Sequence, residues 1–501
     1  MDTEIELKYL VLGDNTPAVI TDLLNQQNIS FVCQTKQLIN CYFDTPDLQL
    51  RKADIGLRIR HSSIGASEQT IKTAGKVIAG LHQRPEYNVP ITGDIPNLDL
   101  FAVDIWPEHF DVDQVSTQLA PLFETNFCRT TWLLTSNDGS EIELAFDLGE
   151  VKTQAKSEPI CEVELELVSG DRASLFDLAK LLFKHLALRP GILSKAARGY
   201  GLVFGRVESH ISAANTTLEL NLNMSLMTSF QQGFSECIEQ SQHLINQFID
   251  KPELQLLKEI SDSLALTRHG LWLYKDYISA DLLMPIRAQI KVMLKQLSWV
   301  ETAKQIRELT TKTGNYRKKI EYSQSLLNEL KDEKHAIVDY QSAIDLFHSE
   351  AFNVLQLAML ELVVNDLPEP KQNTTLTDLA PSWLSIGWDD ITNVLASDKA
   401  LNAGEYLQHH ALLTRSLLTG CWFGQLFDGE GRMEFRGPWL DLHLGIEELA
   451  TLMLLKNHLQ STQQDLPSKL INWLDNKIDN LLCALEHSKQ AALKLPPYWL
   501  K

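Results

Sequence analysis

Charged residues recur two apart along short segments of the first third of this chain, and that spacing limits what it can fold into. In Glu4-Ile5-Glu6-Leu7-Lys8 the apolar/polar alternation is that of a β-strand, whose successive side chains point to opposite faces. Glu4, Glu6 and Lys8 therefore share one face, and Ile5, Leu7 and Tyr9 the other. A single strand of this kind is ordinarily half-buried with its charges in water. Here the pattern returns in Arg58/Arg60, Thr70/Lys72, Arg84/Glu86, Arg129/Thr131, Glu141/Glu143/Ala145/Asp147 and Glu162/Glu164/Glu166. Turn residues such as Thr45-Pro46-Asp47, Gly75 and Asn137-Asp138-Gly139 separate the segments. The alternation predicts strands near 3–12, 37–44, 55–62, 67–73, 83–91, 124–135, 140–148 and 159–168. Eight strands are enough for a small closed barrel with one interior, to which one row per strand must point. Helical spacing near 16–27, 110–121 and 171–187, the last opening on Asp171 as N-cap, supplies cover for an apolar outer wall.

Alternation alone does not say which face is inside; the concurrence of the rows does. Three carboxylates in a row repel one another unless cations sit among them. Mg²⁺ and Mn²⁺ are hard ions that prefer carboxylate oxygens. Arginine and lysine on the intervening strands suit phosphate oxygens. Together the two sets describe a site for a metal-chelated polyphosphate.

Beyond about residue 208 the period changes to three and four, predicting helices near 222–249, 253–277, 281–312, 320–365, 402–427, 439–461 and 465–493. A chain of 501 residues exceeds the size of one core, so two domains are expected, joined by the polar stretch 210–217. The net charge of −20 argues against non-specific binding to nucleic acid or anionic membrane. Seven scattered cysteines without a Cys-x-x-Cys pair signal neither a disulfide framework nor a zinc site, and fit a reducing cytoplasm. The acidic start is unlike a secretory signal, and the most apolar stretch, near 351–364, is too short to span a bilayer.

Taken in order, Glu4-x-Glu6-x-Lys8, Arg58-x-Arg60, Lys72, Arg129, the Glu143–Asp147 strand, the Glu162–Glu166 row and Ser194-Lys195-Ala196-Ala197-Arg198-Gly199-Tyr200 resemble the CYTH domain, or triphosphate tunnel metalloenzymes, over about residues 1–205. Leu81–Val89 and Pro159–Gly170 resemble the bacterial inorganic triphosphatases that carry a CHAD domain behind the CYTH domain. The resemblance implies an α+β chain. Residues 1–208 would form an eight-stranded antiparallel β-barrel tunnel with flanking helices, followed by an all-α helical-bundle, CHAD-like domain at 218–501. It implies hydrolysis of inorganic tripolyphosphate to pyrophosphate and phosphate with Mg²⁺ or Mn²⁺. Glu4, Glu6, Glu164 and Glu166 would be metal ligands, with Glu162 a further candidate. Lys8, Arg58, Arg60, Lys72, Arg84, Arg129, Lys195 and Arg198 would hold phosphate. Arg84, Glu86, Glu143 and Asp147 would orient these side chains or a metal-bound water, and Glu4, Glu6, Lys8, Glu86, Asp147 and Lys195 would carry the catalysis. The same tunnel could take thiamine triphosphate or a nucleoside triphosphate, or cyclise ATP; outside the enzymes it could serve as a polyphosphate-binding adaptor.

CHAD domains typically set a histidine at the head of a helix followed by arginines that bind polyphosphate. Here Arg268-His269 is followed by Gly270-Leu271-Trp272-Leu273-Tyr274, with Lys275 the only basic residue near, and His409-His410 leads only to Arg415. Arg317-Lys318-Lys319, interspersed with acids, reads as a solvated face. The helical half is therefore expected to be structural or regulatory, with polyphosphate binding weak or absent.

Overall fold

The computed structural model describes residues 2–13, 16–78, 80–205, 217–314, 316–321, 323–370, 375–396, 399–427, 429–461 and 468–500. The predicted linker 210–217 lies, except for Thr217, outside them. The chain divides into two compact units, one of residues 1–210 with 347–360, the other of 211–346 with 361–501.

Among the described residues ten strands lie in the first unit: β1 (Asp2–Val11), β2 (Ser30–Asp44), β3 (Gly56–Ser62), β4 (Glu68–Lys72), β5 (Lys76–Ile78), β6 (Leu81–Pro90), β7 (Ala120–Thr135), β8 (Glu141–Lys152), β9 (Ser157–Ser169) and β10 (Leu188–Pro190). The sheet runs β1-β9-β8-β7-β2-β3-β4-β6, and β6 pairs with β1 to close an eight-stranded antiparallel barrel; β5 and β10 are appended to β6 and β1. All eight alternating segments are barrel strands. The β7–β8 hairpin turns at Gly139, whose φ of 86° only glycine adopts at no steric cost.

The predicted outer wall is apolar and covered. Helices α1 (Thr16–Gln26) and α4 (Arg172–Phe183) bury Ile20, Leu23, Leu24, Leu175, Phe176 and Phe183; on the outward face of the strands Leu7, Tyr9, Trp132, Leu144 and Val163 are buried. Tyr9 meets Phe183 edge-on, Trp132 Nε1 donates to Thr21 Oγ1, and Asp171 caps α4 as expected. On the other flank α2 (Gln49–Lys52) and α3 (Val112–Gln118) add Leu50 and Val115 to a core with Phe43, Leu57, Ile59 and Ile71. Helix α5 (Lys195–Phe204), which the strand and helix patterns do not announce, is capped by Ser194 and packs against β7 and β8. Its Tyr200 joins Leu38, Phe123, Phe127, Val151 and Ile160 in an apolar cluster. Those strand residues have the same parity as Lys36, Arg129, Asp147 and Glu162, so α5 fills one end of the interior. A Cβ on Gly199 would collide with the Phe123 ring, which is why this turn of helix carries glycine.

The second unit is helical: α6 (Leu226–Asp250), α7 (Leu254–Leu273), α8 (Ala280–Gln296), α9 (Trp299–Thr310), α10 (Arg317–Ile320), α11 (Gln324–Ile337), α12 (Tyr340–His348) and α13 (Glu350–Val364), which both cross the division, α14 (Leu376–Leu395), α15 (Ala403–Phe423), α16 (Gly429–Ser461) and α17 (Ser468–Leu493). Helix α6 packs on α7, α7 on α8, α14 on α15, α15 on α16 and α16 on α17. The predicted single helices 281–312 and 320–365 are each broken, the first at Leu297–Ser298 without a side-chain cap, the second where polar side chains start new helices: Ser323 caps α11, Asp339 accepts from Ser342 N, and Ser349 accepts from Phe352 N. Helix α14 has no counterpart in the helical periodicity; it contains Pro381 in its first two turns without a break, and its start is set by a Thr375/Asp378 capping box. Among the described residues no helix is long and apolar enough to cross a membrane.

Candidate active site

Strand pairing turns the separate rows into one lining. Residues directly opposite in an antiparallel pair share a face, so Glu4 with Arg84, Lys8 with Glu164, Lys72 with Glu86, Arg58 with Thr70 and Tyr42, Arg60 with Asn40, and Arg129 with Asp147 all point inward. Lys195 and Arg198 reach the same space from α5. Every residue expected at the site is thus brought to one lumen.

The lining is not evenly charged. Around the α5 end, four cations and four acids neutralise one another. Lys195 Nζ contacts Asp147 at 2.6 Å, Glu164 at 2.8 Å and also Glu162. Lys8 contacts Glu164 at 2.9 Å and Glu162 at 3.4 Å. Arg129 forks onto Asp147 at 2.7 and 2.6 Å and reaches Glu164 at 2.5 Å, while Arg198 holds Glu158 at 2.8 Å. Burial alone would raise the pKa of Glu164, but Lys195, Lys8 and Arg129 outweigh it and hold it well below the carboxylate range. Asp147, Glu162 and Glu164 lie close enough to share an ion. The Lys195 ammonium already sits among them, so a metal there would compete with it.

A second group is sparser. Lys72 bridges Glu86 at 2.7 Å and Glu4, and Arg58 contacts Glu86 at 3.3 Å. Burial opposes ionisation of Glu86, yet Arg58 and Lys72 lower it to about 2. Arg60 donates to Asn40 at 2.7 Å. The Nε–H groups of Arg58 and Arg84 are buried with no hydrogen-bond partner among the described residues, donors that an oxyanion would satisfy.

Between the groups lies a row that no single strand reveals. Glu6 is paired in register with Glu166, and Glu166 with Glu143, which sets three carboxylates side by side across β1, β9 and β8. Among the described residues none of the three has an ion pair. Like charges directly opposite are destabilising. Burial, with Glu6 and Glu143 alongside, pushes Glu166 up to about 7; burial and Glu6 push Glu4 up to about 8, against the pull of Lys72. The geometry therefore separates two acids that sequence had grouped: Glu166 stands with Glu6 and Glu143 without a cation, whereas Glu164 is enclosed by three. Glu143, given only an orienting role by resemblance, stands in the unpaired row.

A model of the CYTH domain matches residues 2–200, the span of the whole barrel and α5 up to Tyr200. Residues 2–200 are a CYTH domain. Over 203 residues the chain is 37% identical to a Haemophilus influenzae protein named inorganic triphosphatase, a match that takes in 39% of this chain and 54% of that one. The chain thus spans about half the length of this curated relative. Among solved structures, a Hippeastrum protein described as having a dominant triphosphatase activity is 19% identical and covers 41% of this chain and all of that one, with a TM-score of 0.32. A CHAD domain from Ricinus communis is 14% identical and covers 58% of this chain and 99% of that one, with a TM-score of 0.42.

In the helical unit the structure gathers what the sequence scatters. His269 stacks on Trp272 with ring centroids 5.4 Å apart, and Lys275 and Arg415 lie over the same indole at 4.8 and 5.9 Å. Burial, then Arg415, Arg287 and Arg268, lower the His269 pKa to about 3. These arginines arrive from three helices, which is why no basic run is visible along any one of them.

Proposed function

We propose that the CYTH domain is a metal-dependent inorganic triphosphatase, hydrolysing tripolyphosphate to pyrophosphate and phosphate inside the barrel. The observation that carries this reading is the unpaired Glu6–Glu166–Glu143 row facing the same lumen as the cation set. A binder of polyanions alone gains nothing from such a row, which repels phosphate, whereas hard oxygen donors without a cation suit Mg²⁺ or Mn²⁺. Glu4, Glu6 and Glu166, with Glu143 beside them, would hold the ion; Glu164 would take part only by exchanging a lysine or arginine partner. When bound, the ion supplies charge neutralisation of the triphosphate and polarises its phosphoryl oxygens.

The protein's own residues do the rest by positioning, which is most of what phosphoryl transfer requires. Arg58, Arg60, Lys72 and Arg84 would receive phosphate oxygens directly, the orphaned Nε–H groups of Arg58 and Arg84 among the donors. Lys8, Arg129, Lys195 and Arg198 would add charge at the α5 end, with Asp147 and Glu86 fixing the orientation of Arg129 and Lys72. The triphosphate tail of ATP or thiamine triphosphate fits the same lumen. Its apolar end, however, is filled by Tyr200 and Phe123, which leaves no room there for an organic group.

We assign residues 218–501 as a CHAD-like domain. Four cations beside His269 make a small anion site, for which weak binding of polyphosphate is expected. Seven scattered cysteines without a Cys-x-x-Cys pair suit the reducing cytoplasm.

The test is to offer the full chain tripolyphosphate, ATP, thiamine triphosphate and long-chain polyphosphate, each with Mg²⁺ or Mn²⁺, and to measure phosphate and cyclic-nucleotide release. Tripolyphosphate should be the preferred substrate, and Glu6→Gln should abolish turnover with the fold intact. Metal-independent turnover, or full activity in Glu6→Gln, would refute the reading.

A further inference from the structure

We propose that His410, His443 and Glu447 form a binding site for a borderline transition-metal ion of the zinc type in the helical unit, independent of the barrel. His443 and Glu447 are one turn apart on α16 and share a face; His410 comes from α15, which packs against it. One potential ligand atom of each residue lies within 4.8 Å of the others, and the two imidazole rings are tilted by 35° with centroids 4.6 Å apart. All three side chains are half-buried, so a bound ion would be shielded without being sealed off.

Hydrogen bonding leaves the ligand lone pairs available. His410 Nε2 is buried with no partner among the described residues. Thr414 Oγ1 spends its proton on the His410 carbonyl at 2.9 Å, so in its 3.1 Å contact with His443 Nε2 the imidazole must be the donor. That fixes the tautomer and leaves Nδ1 of His443 with the lone pair, the arrangement in which an outer-shell acceptor orients a metal-bound histidine. The groups facing Glu447 are Lys258 and Lys304, both at 3.9 Å, beyond hydrogen-bonding distance. Lys258 is engaged instead by Asp262 at 2.6 Å, with Glu301 at 3.9 Å. Two imidazoles and one carboxylate select zinc, cobalt or nickel over the magnesium and manganese that an all-carboxylate site prefers, and three protein ligands leave a fourth position for water.

Cobalt distinguishes the two sites, because a tetrahedral nitrogen-rich site gives intense visible bands and a six-coordinate carboxylate site does not. Metal-free full-length protein titrated with Co²⁺ should develop those bands to one equivalent, and Zn²⁺ should bleach them. His410→Gln and His443→Gln should remove them while Glu6→Gln keeps them. Thr414→Val, which removes the outer-shell acceptor of His443 and leaves all three ligands in place, should weaken Zn²⁺ binding by about 10- to 100-fold. Circular dichroism of each variant separates loss of a ligand from loss of the fold. Absence of the bands in the wild type, or their survival in folded His443→Gln, would overturn the proposal.

Discussion

Replacing Glu166 with glutamine should make the barrel more stable and the protein inactive. Glu166 lies between Glu6 and Glu143 without a cation, and burial with these neighbours moves its pKa from 4.5 to about 7. Because the folded-state value exceeds the unfolded one, folding holds the proton more tightly, and the stability this gives is present below pH 4.5 and lost as the pH rises through about 7. At about 1.4 kcal/mol per tenfold change in proton affinity, the ionised carboxylate costs roughly 3 kcal/mol at pH 8. Glutamine removes that cost but cannot serve as a charged ligand. A chain of two units does not unfold as one, so the measurement should be local: hydrogen exchange of β1, β8 and β9, without divalent ions. At pH 8 exchange should slow in Glu166→Gln on the order of 100-fold, as roughly 3 kcal/mol requires. At pH 5 the two proteins should nearly coincide. Equal exchange at pH 8, or the same difference at both pH values, would refute the electrostatic account of the row.

Lys195→Met should be destabilising by about 3–5 kcal/mol, because it leaves Asp147, Glu162 and Glu164 buried with one cation fewer; hydrogen exchange of the same strands reads this. Lys72→Met, which frees Glu4 and Glu86 from their bridge, should lower kcat/KM for tripolyphosphate by about 10- to 100-fold, the worth of one charged hydrogen bond, in steady-state assays. Gly199→Val should drive a branched side chain into Phe123 and cost about 1–3 kcal/mol, visible as a lower melting temperature of the barrel. Divalent binding at pH 7 should release protons, since Glu4 and Glu166 must ionise to act as ligands; calorimetry in buffers of different ionisation enthalpy measures this.

The barrel was legible because a period of two is written along each strand, and because seven charged rows admit one common interior. What lay beyond reach was the pairing between rows. That Glu6, Glu166 and Glu143 stand abreast depends on two registers, β8 with β9 and β1 with β9, the second joining segments more than a hundred residues apart. The different situations of Glu164 and Glu166 depend on Lys195, delivered by a helix whose short apolar pattern is masked by its own charges and glycines. In the second unit, period alone passed over the capping residues that break long helices and over α14, where Pro381 spoils the pattern. The cluster around His269 escaped for a related reason, since Arg268, Arg287 and Arg415 belong to three helices.

The packing of α5 into the barrel has a consequence for traffic. With Tyr200 against Phe123 and the apolar residues around them, one end of the lumen is stoppered, and the cavity is a dead-end well rather than a pipe. Inlet and outlet are then the same opening. A linear phosphate chain, the proposed substrate, would have to enter end first, to a depth set by the stopper, and whatever is left would have to back out before another molecule could follow.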